Sequence, residues 1–125
     1  MKASETGKLG EESVCAYLTG HGYRIAARNF RIKGGEIDIV AENDFYIAFV
    51  EVKTRRPDSI VTGFDAVTKR KKGLIIRAAA EYCIRYPGEL QPRFDTAQVI
   101  ADGGKILRID YIENAFDTTG YNFIF

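Results

Sequence analysis

A glutamate and a lysine interrupt an otherwise apolar run in the middle of this sequence. Residues 45–53 read Phe-Tyr-Ile-Ala-Phe-Val-Glu-Val-Lys, and only Glu51 and Lys53 among them are charged. A near-continuous apolar run of this length predicts a strand that is covered on both faces. Alternate residues of a strand face the same side, so the glutamate and the lysine share one face.

A second carboxylate, Asp38, lies in the preceding predicted strand at 36–42, and the two strands predict an antiparallel hairpin. A four-residue loop over 43–46 puts Asp38 opposite Glu51, and a two-residue turn at 43 and 44 puts the carboxylates on a diagonal. In either register they share a face and repel each other unless a cation lies between them. Strict alternation gives this strand two faces, one with Glu36, Asp38 and Val40 and the other with Ile37, Ile39 and Ala41.

Mg²⁺ suits such a pair, because it takes one or two carboxylates and completes its shell with waters and substrate phosphate oxygens. We predict that Mg²⁺, or Mn²⁺ in its place, is bound by Asp38, Glu51 and the backbone carbonyl of Val52. Lys53 would then hold or deprotonate an attacking water while the metal polarises a phosphate. A glutamate–lysine salt-bridge ladder on an edge strand is the alternative interpretation.

The predicted first helix, 6–20, carries one carboxylate on its core-facing stripe. Glu11 falls at the centre of that stripe, which is formed by Val14, Cys15 and Leu18. A carboxylate that faces the core is costly unless it is paired, hydrogen-bonded or bound to a cation. The alternative is a first-turn glutamate that interacts favourably with the helix dipole.

Charge is divided sharply along the chain. Residues 36–52 carry five anions and no cation, whereas residues 53–77 carry eight cations and two anions. An acidic cluster beside a basic one suits a cation site next to a groove for a polyanion, although a solvated helix face has a similar pattern. Lys71 shares the helical stripe of Val67, Leu74, Ile75 and Ala78, and should reach towards the active site. The candidate substrate-binding residues are Arg31, Glu36, Arg55, Arg56, Lys69, Arg70, Lys71 and Lys72.

The remaining pattern predicts the elements that position these side chains. Helices are expected at 6–20 and 65–86, with a loop at 57–64 before the second, and strands at 23–31, 36–42, 46–54, 93–101 and 105–112. The order αβββαββ predicts an α/β fold with one central mixed sheet flanked by helices. The 125 residues fit a single domain.

Composition excludes several classes of protein. No run is apolar over the length that a membrane span needs, and the N-terminus has no apolar signal-peptide core, so we expect a cytoplasmic protein. Cys15 and Cys83 are expected to be free, buried thiols. Because His21 is the one histidine and sits at a predicted helix end, a zinc site built on Cys and His is close to excluded.

Beyond these local features, Gly35-Glu36-Ile37-Asp38 followed by Glu51-Val52-Lys53 resembles the PD-(D/E)xK nuclease signature, with Ile37 in place of its proline. A longer ordered set covers nearly the whole chain and resembles the bacterial YraN family. The matching segments are Gly10-Glu11, Tyr17-Leu18, Gly22-Tyr23, Asn29-Phe30-Arg31, Gly35 to Asp38, Phe49 to Arg55, Lys71, Arg93-Phe94-Asp95 and Asn114-Ala115-Phe116.

This resemblance implies a restriction-endonuclease-like fold related to archaeal Holliday-junction resolvases. It also implies that a helix glutamate, by position Glu11, joins Asp38, Glu51 and Lys53 as catalytic residues. The expected function is a Mg²⁺-dependent endonuclease on structured or branched DNA, structure-selective because no base-reading motif is visible. A non-catalytic nucleic-acid-binding protein that retains the fold and a protein-interaction module are the alternatives.

The last nine residues, 117–125, are a possible C-terminal extension that the resemblance does not explain. Tyr121, Phe123 and Phe125 recur with period two. Exposed aromatic side chains in a terminal segment predict a packing partner, which could be a second copy in a homodimer, the edge of a sheet or the same domain.

Overall fold

Two helices and five strands follow one another in the part of the chain that the structure describes. A computed structural model describes residues 3–59 and 68–121. The elements are α1 (Ala3–Gly20), β1 (Arg24–Ile32), β2 (Gly35–Glu42), β3 (Tyr46–Arg55), a single 3₁₀ turn (Pro57–Ser59), α2 (Lys69–Arg85), β4 (Gln91–Asp102) and β5 (Lys105–Phe116). This order is the predicted αβββαββ, and the α/β architecture is consistent with a restriction-endonuclease-like fold.

The five strands form one mixed sheet in the order β1-β2-β3-β4-β5. β3 and β4 run parallel, and the other neighbouring pairs are antiparallel. A parallel pair needs a long crossover connection, and α2 lies in the segment that joins β3 to β4. β1 and β5 are therefore the two edges of the sheet.

Each helix covers one face of the sheet, and each face has its own apolar cluster. The α2-side cluster contains Ile37, Val40, Ile47, Phe49, Ile75, Ile76, Ala78, Ala79, Tyr82 and Phe94. The α1-side cluster contains Val14, Leu18, Ile39, Ala41, Ala48, Val50, Ala97 and Val99. β3 contributes to both clusters, which explains why its sequence is apolar at nearly every position.

The β2–β3 hairpin has the register of the four-residue connection. Glu42 pairs with Ile47, and the ladder continues to Ile39 opposite Val50. Asn43 fixes the turn, because its side-chain oxygen accepts hydrogen bonds from the backbone N–H groups of Phe45 at 2.9 Å and Tyr46 at 2.7 Å. The next residues beyond the ladder are Asp38 and Glu51, so this register brings the two carboxylates together.

The strict alternation that the sequence predicts for β2 is wrong at one position. Ile37 packs in the α2-side cluster with Val40, whereas Ile39 lies in the α1-side cluster. The cause lies in β1, where Asn29 adopts a left-handed conformation with φ 52° between the pairs Arg28–Ile39 and Phe30–Ile37. That conformation interrupts the period of two in both strands, and Asp38 lies beside the interruption.

Helix α2 begins later than predicted. Thr68 has extended dihedral angles and caps the helix, with its hydroxyl accepting from the Lys71 backbone N–H at 3.1 Å. The predicted start at residues 65–67 lies outside the described residues. β5 extends four residues beyond its predicted end at residue 112, to Phe116.

The sequence also makes predictions about the two cysteine thiols and the C-terminal tail. Cys15 and Cys83 are free as predicted, but they are partly rather than fully buried. The Tyr121 hydroxyl donates to the Lys69 carbonyl at 2.8 Å, so this part of the tail packs on α2 of the same chain. Phe123 and Phe125 lie outside the described residues. Within residues 3–59 and 68–121 no helix is both long and apolar enough to cross a membrane.

Candidate active site

One cleft collects acidic and basic side chains from four elements. It has a volume of about 400 Å³ and lies between the start of α2 and the β1–β2 turn. Its charged lining residues are Arg31, Glu36, Asp38, Glu51 and Lys71. All five are candidates from the sequence, and the fold brings them together from separate elements.

Asp38 lies where β2 and β3 separate. The Val52 N–H, beyond the last residues of the β2–β3 ladder, donates to Asp38 Oδ2 at 2.8 Å. Burial and the neighbouring Glu51 carboxylate raise the pKa of Asp38 to about 7, although the hydrogen bond from Val52 opposes the shift. Two carboxylates are thus held close enough to repel each other, as the sequence predicted.

Glu51 is buried, with 6% of its surface exposed, and its partner comes from the helix. Lys71 Nζ lies 2.5 Å from Glu51 Oε1. Lys71, which the sequence predicts to reach towards the active site, thus extends from α2 into the cleft. Lys53 follows Glu51 by two residues on β3 and is exposed to solvent.

Glu11 approaches the site from the opposite helix through an asparagine. Its Oε1 lies 3.8 Å from Arg28 Nη2. With the side-chain amide of Asn29 oriented to donate, its nitrogen lies 3.3 Å from Glu11 Oε1 and 3.3 Å from Glu36 Oε1. Asn29 therefore links the helix carboxylate to a residue of the cleft, and Glu11 also contributes to the raised pKa of Asp38.

Sequence reasoning missed the roles of Arg28 and Asn29. The available signal was a polar Asn inside an extended segment, since Asn is one of the few residues besides Gly that tolerates the left-handed conformation. Its contacts with two carboxylates depend on the fold and could not be read from spacing.

The structure divides the remaining basic candidates into separate groups. Arg31 pairs with Glu36 at the cleft, at 3.2 Å. Lys69 and Arg70 are exposed at the start of α2, and Lys72 lies 5.5 Å from the Phe116 ring. Arg55 is half-buried. Arg56 lies elsewhere, 3.7 Å from Asp58 and beside the β4–β5 turn, so it does not join the cleft.

The donor set fits a hard divalent cation that keeps part of its shell for water and substrate. In the described parts of the chain, no three His, Cys, Asp or Glu side chains are grouped to hold a metal ion. Asp38 and Glu51 are two, and Mg²⁺ is commonly bound by one or two carboxylates. The mutual repulsion that raises the pKa of Asp38 is what a cation between the two carboxylates would relieve.

Comparison with known proteins places this site within a family. The model of the uncharacterised protein family UPF0102 matches residues 10–99, which include Glu11, Asp38, Glu51 and Lys53. The chain belongs to the UPF0102 family. This is the YraN family whose motifs the sequence resembles.

Relatives in the UPF0102 family resemble the chain over most of its length. A UPF0102 protein of Symbiobacterium thermophilum is 42% identical over 88% of this chain and 94% of its own. UPF0102 proteins of Trichlorobacter lovleyi and Alkaliphilus metalliredigens are 45% and 46% identical, covering 89% and 88% of this chain and 89% and 96% of their own. The cleft is therefore part of a domain that these UPF0102 proteins share nearly end to end.

Proposed function

We propose that this UPF0102 protein is a divalent-metal-dependent endonuclease that hydrolyses phosphodiester bonds of structured or branched DNA. The observation that carries the proposal is the pair of carboxylates, Asp38 and Glu51, in a cleft bordered by Arg31 and Lys71. A cation site beside basic side chains is the arrangement that hydrolysis of a polyanion requires. The likeness to the PD-(D/E)xK signature supports the same reaction.

Asp38, Glu51 and the carbonyl of Val52 would hold Mg²⁺ or Mn²⁺. The bound metal supplies Lewis-acid polarisation of the scissile phosphate and stabilises the charge that develops on it. The hydrogen bond from the Val52 N–H fixes the Asp38 carboxylate in the cleft. Lys71 neutralises Glu51 when the cleft holds no other cation.

Lys53 is the residue that we assign to the attacking water. It follows Glu51 by two residues on the same strand, so the two side chains share a face, and it is exposed although it is not one of the residues that line the cleft. Glu11 and Asn29 act on the other side of the cleft, where they position Glu36 through the amide of Asn29.

We assign the substrate to structured DNA because we expect the basic residues to contact phosphates rather than base edges. Lys69 and Arg70 are exposed in the first turn of α2, where the helix dipole also favours an anion. Helix α2 packs on the sheet through its apolar face, so this face cannot enter a DNA groove to contact bases. Contacts with phosphates select the path of the backbone rather than its sequence.

The contact between Lys71 and Glu51 favours one alternative function. An ammonium group that already pairs with the buried glutamate would suit a protein that binds nucleic acid without cutting it. The two functions share the cleft and differ in whether a metal replaces the lysine at Glu51.

A cleavage screen separates them. Labelled linear duplex, flap, fork and four-way-junction DNA would be incubated with the protein and Mg²⁺, Mn²⁺ or chelator. We expect metal-dependent cleavage of branched substrates that falls about 100-fold or more in Asp38→Asn and Lys53→Met. Glu42→Gln, on the same strand as Asp38 but outside the cleft, is the control and should cleave normally. Tight binding of branched DNA without cleavage would establish the alternative instead.

A further inference from the structure

The two edges of the sheet differ in the charges that they expose. β1 carries three cations and no anion, namely Arg24, Arg28 and Arg31. Each of these arginines is already paired with a glutamate of another element, namely Glu42, Glu11 and Glu36 in the same order. The β5 edge carries two cations, Lys105 and Arg108, followed by two anions, Asp110 and Glu113.

The sequence of β5 is complementary to itself when it is reversed about Ile109. One residue to either side of Ile109 are Arg108 and Asp110, and four residues to either side are Lys105 and Glu113. In an antiparallel pair related by a two-fold axis through Ile109, Arg108 of each copy lies opposite Asp110 of the other. Opposite charges that face each other across strands stabilise the pairing, and like charges destabilise it.

We propose that β5 is an interaction surface for a second copy of this chain, which pairs with it antiparallel about Ile109. The dimer would have one continuous ten-stranded sheet, and its interface would be isologous, the commonest kind in soluble oligomers. The first pairs on either side of the axis are Arg108 with Asp110 of the second copy.

The side chains of Arg108 and Asp110 are already in position to pair with those of a second copy. Within one chain, Arg108 Nη2 lies 2.9 Å from Asp110 Oδ2, and the two side chains are 61% and 33% exposed. Both are therefore on the same face, within reach of the corresponding pair across the edge. In the dimer these four charges form one alternating network in place of two separate pairs.

The backbone of β5 is held in a fixed position before a partner arrives. Asp95, which is fully buried, accepts a hydrogen bond from the Tyr111 hydroxyl at 2.6 Å and another from the Asn114 N–H at 2.9 Å. Its other partner is the Arg93 guanidinium, at 2.7 and 2.9 Å. A strand anchored in this way loses little conformational freedom on pairing, which lowers the cost of association.

The regular part of the edge is short, and this sets the strength expected of the contact. The register between β4 and β5 is uninterrupted over residues 108–112, with irregularities on either side. Leu107 at one end is 53% exposed and would meet Tyr111 of the second copy. Because pairing about Ile109 matches each residue after it with one before it, only residues 108–110 are uninterrupted in both copies. A contact this short gives a weak, charge-dependent dimer rather than an obligate one.

The dimer would place two clefts on one side of a single sheet. A two-fold axis perpendicular to the sheet keeps the α2 faces of both copies on the same side. β3 and its counterpart are five strand spacings apart, or about 24 Å. That both clefts would act on one DNA molecule rests on the proposed function, whereas the interface itself does not.

Sedimentation of the full chain tests the interface without reference to cleavage. We expect a dimer at about 100 µM that dissociates in high salt. Arg108→Asp and Asp110→Arg should each weaken dimerisation about tenfold or more, because each places like charges opposite one another. The double variant Arg108→Asp, Asp110→Arg restores the complementarity and should dimerise like the wild type.

The control is Arg24→Ser on the opposite edge, which should leave the dimer unchanged. Circular dichroism of each variant shows whether the fold persists. A monomeric wild-type protein at about 100 µM overturns the proposal, as does a dimer that both single variants leave intact. A folded double variant that stays monomeric also overturns the pairing about Ile109.

Discussion

Glu51 is buried beside a lysine that comes from another element. The contact of 2.5 Å between Lys71 Nζ and Glu51 Oε1 neutralises a carboxylate that would otherwise be costly in this position. Lys71 is 44% exposed, so it can leave the glutamate and turn towards solvent or a phosphate. A metal ion at Glu51 must compete with this ammonium group.

Lys71→Met should therefore bind Mn²⁺ more tightly than the wild type, by about tenfold, because a positive charge next to the ligand is removed. Calorimetric titration measures the change. Lys72→Met is the matched control, since the neighbouring ammonium lies over the Phe116 ring and not at the cleft. Equal affinities in the wild type and Lys71→Met would show that the lysine does not compete with the metal.

Asp38 makes the stability of the metal-free protein depend on pH. Its pKa is raised from 3.8 to about 7, so between these values the folded protein keeps a proton that the unfolded chain has released. Unfolding then releases a proton, and the free energy of unfolding falls as the pH rises from about 4 to about 7 and levels off above. We expect a loss of about 2 kcal/mol, half of the full effect, because the cleft is open to solvent.

Urea denaturation in the presence of chelator, at pH 5 and at pH 8, measures this loss. Asp38→Asn cannot ionise and should lack it, so the variant should be more stable than the wild type at pH 8. A decline of the same size in the variant would mean that other groups cause it.

At the scale of elements, α1 is held against β3 by a close contact at a glycine. A Cβ placed on Gly10 would lie 1.9 Å from Thr54 Oγ1, whereas a Cβ on Gly7 of the same helix would meet nothing within 4 Å. Gly10 therefore sets the distance at which the helix that carries Glu11 crosses the strand that carries Glu51 and Lys53.

Gly10→Ala should destabilise the protein by about 1–3 kcal/mol in urea denaturation, because the methyl group forces the helix away from the strand. Gly7→Ala should be neutral or slightly stabilising, since alanine favours a helix more than glycine does. Adding Thr54→Ala to Gly10→Ala should recover part of the loss. An unchanged Gly10→Ala variant would show that helix and strand separate without cost.

The elements were predictable where one periodic pattern runs without interruption. The period of two placed Glu51 beside Lys53, and the helical stripe placed Lys71 facing the cleft. The period failed at Ile37, because the left-handed Asn29 on the neighbouring strand interrupts it. A left-handed position is usually recognised in a sequence by a glycine, and this one is occupied by an asparagine. The end of β5 was missed because Asn114 is left-handed and its N–H donates to the buried Asp95, which interrupts the strand pattern before Phe116 pairs with Phe94.

At the scale of the whole molecule, the divided charge along the sequence brings the acidic side chains of β2 and β3 next to the helix that supplies Lys71. Lys69 and Arg70 lie at the start of α2, the helix that supplies Lys71 to the cleft. Which of the cations in residues 53–77 lie near the cleft could not be predicted from their number. Arg56 lies beside Asp58 and away from the cleft, which only the course of the chain decides.

Lys69→Gln and Arg70→Gln should each weaken binding of branched DNA and lower the slope of its salt dependence by about one unit, because each phosphate contact releases a counterion. Fluorescence anisotropy over a range of salt concentrations measures both effects. Arg85→Gln, near the other end of the same helix, is the control. Slopes identical to the wild type in both test variants would exclude a phosphate groove at the start of α2.

The proposed activity depends on Asp38 and Glu51 acting as one cation site, and calorimetric titration with Mn²⁺ tests this most directly. We expect one ion bound per chain, with affinity reduced about 100-fold or more by Asp38→Asn and by Glu51→Gln. Glu42→Gln, which changes a carboxylate at the other end of β2 that pairs with Arg24, should bind as the wild type does. Unchanged Mn²⁺ binding in both cleft variants would show that Asp38 and Glu51 do not form a cation site.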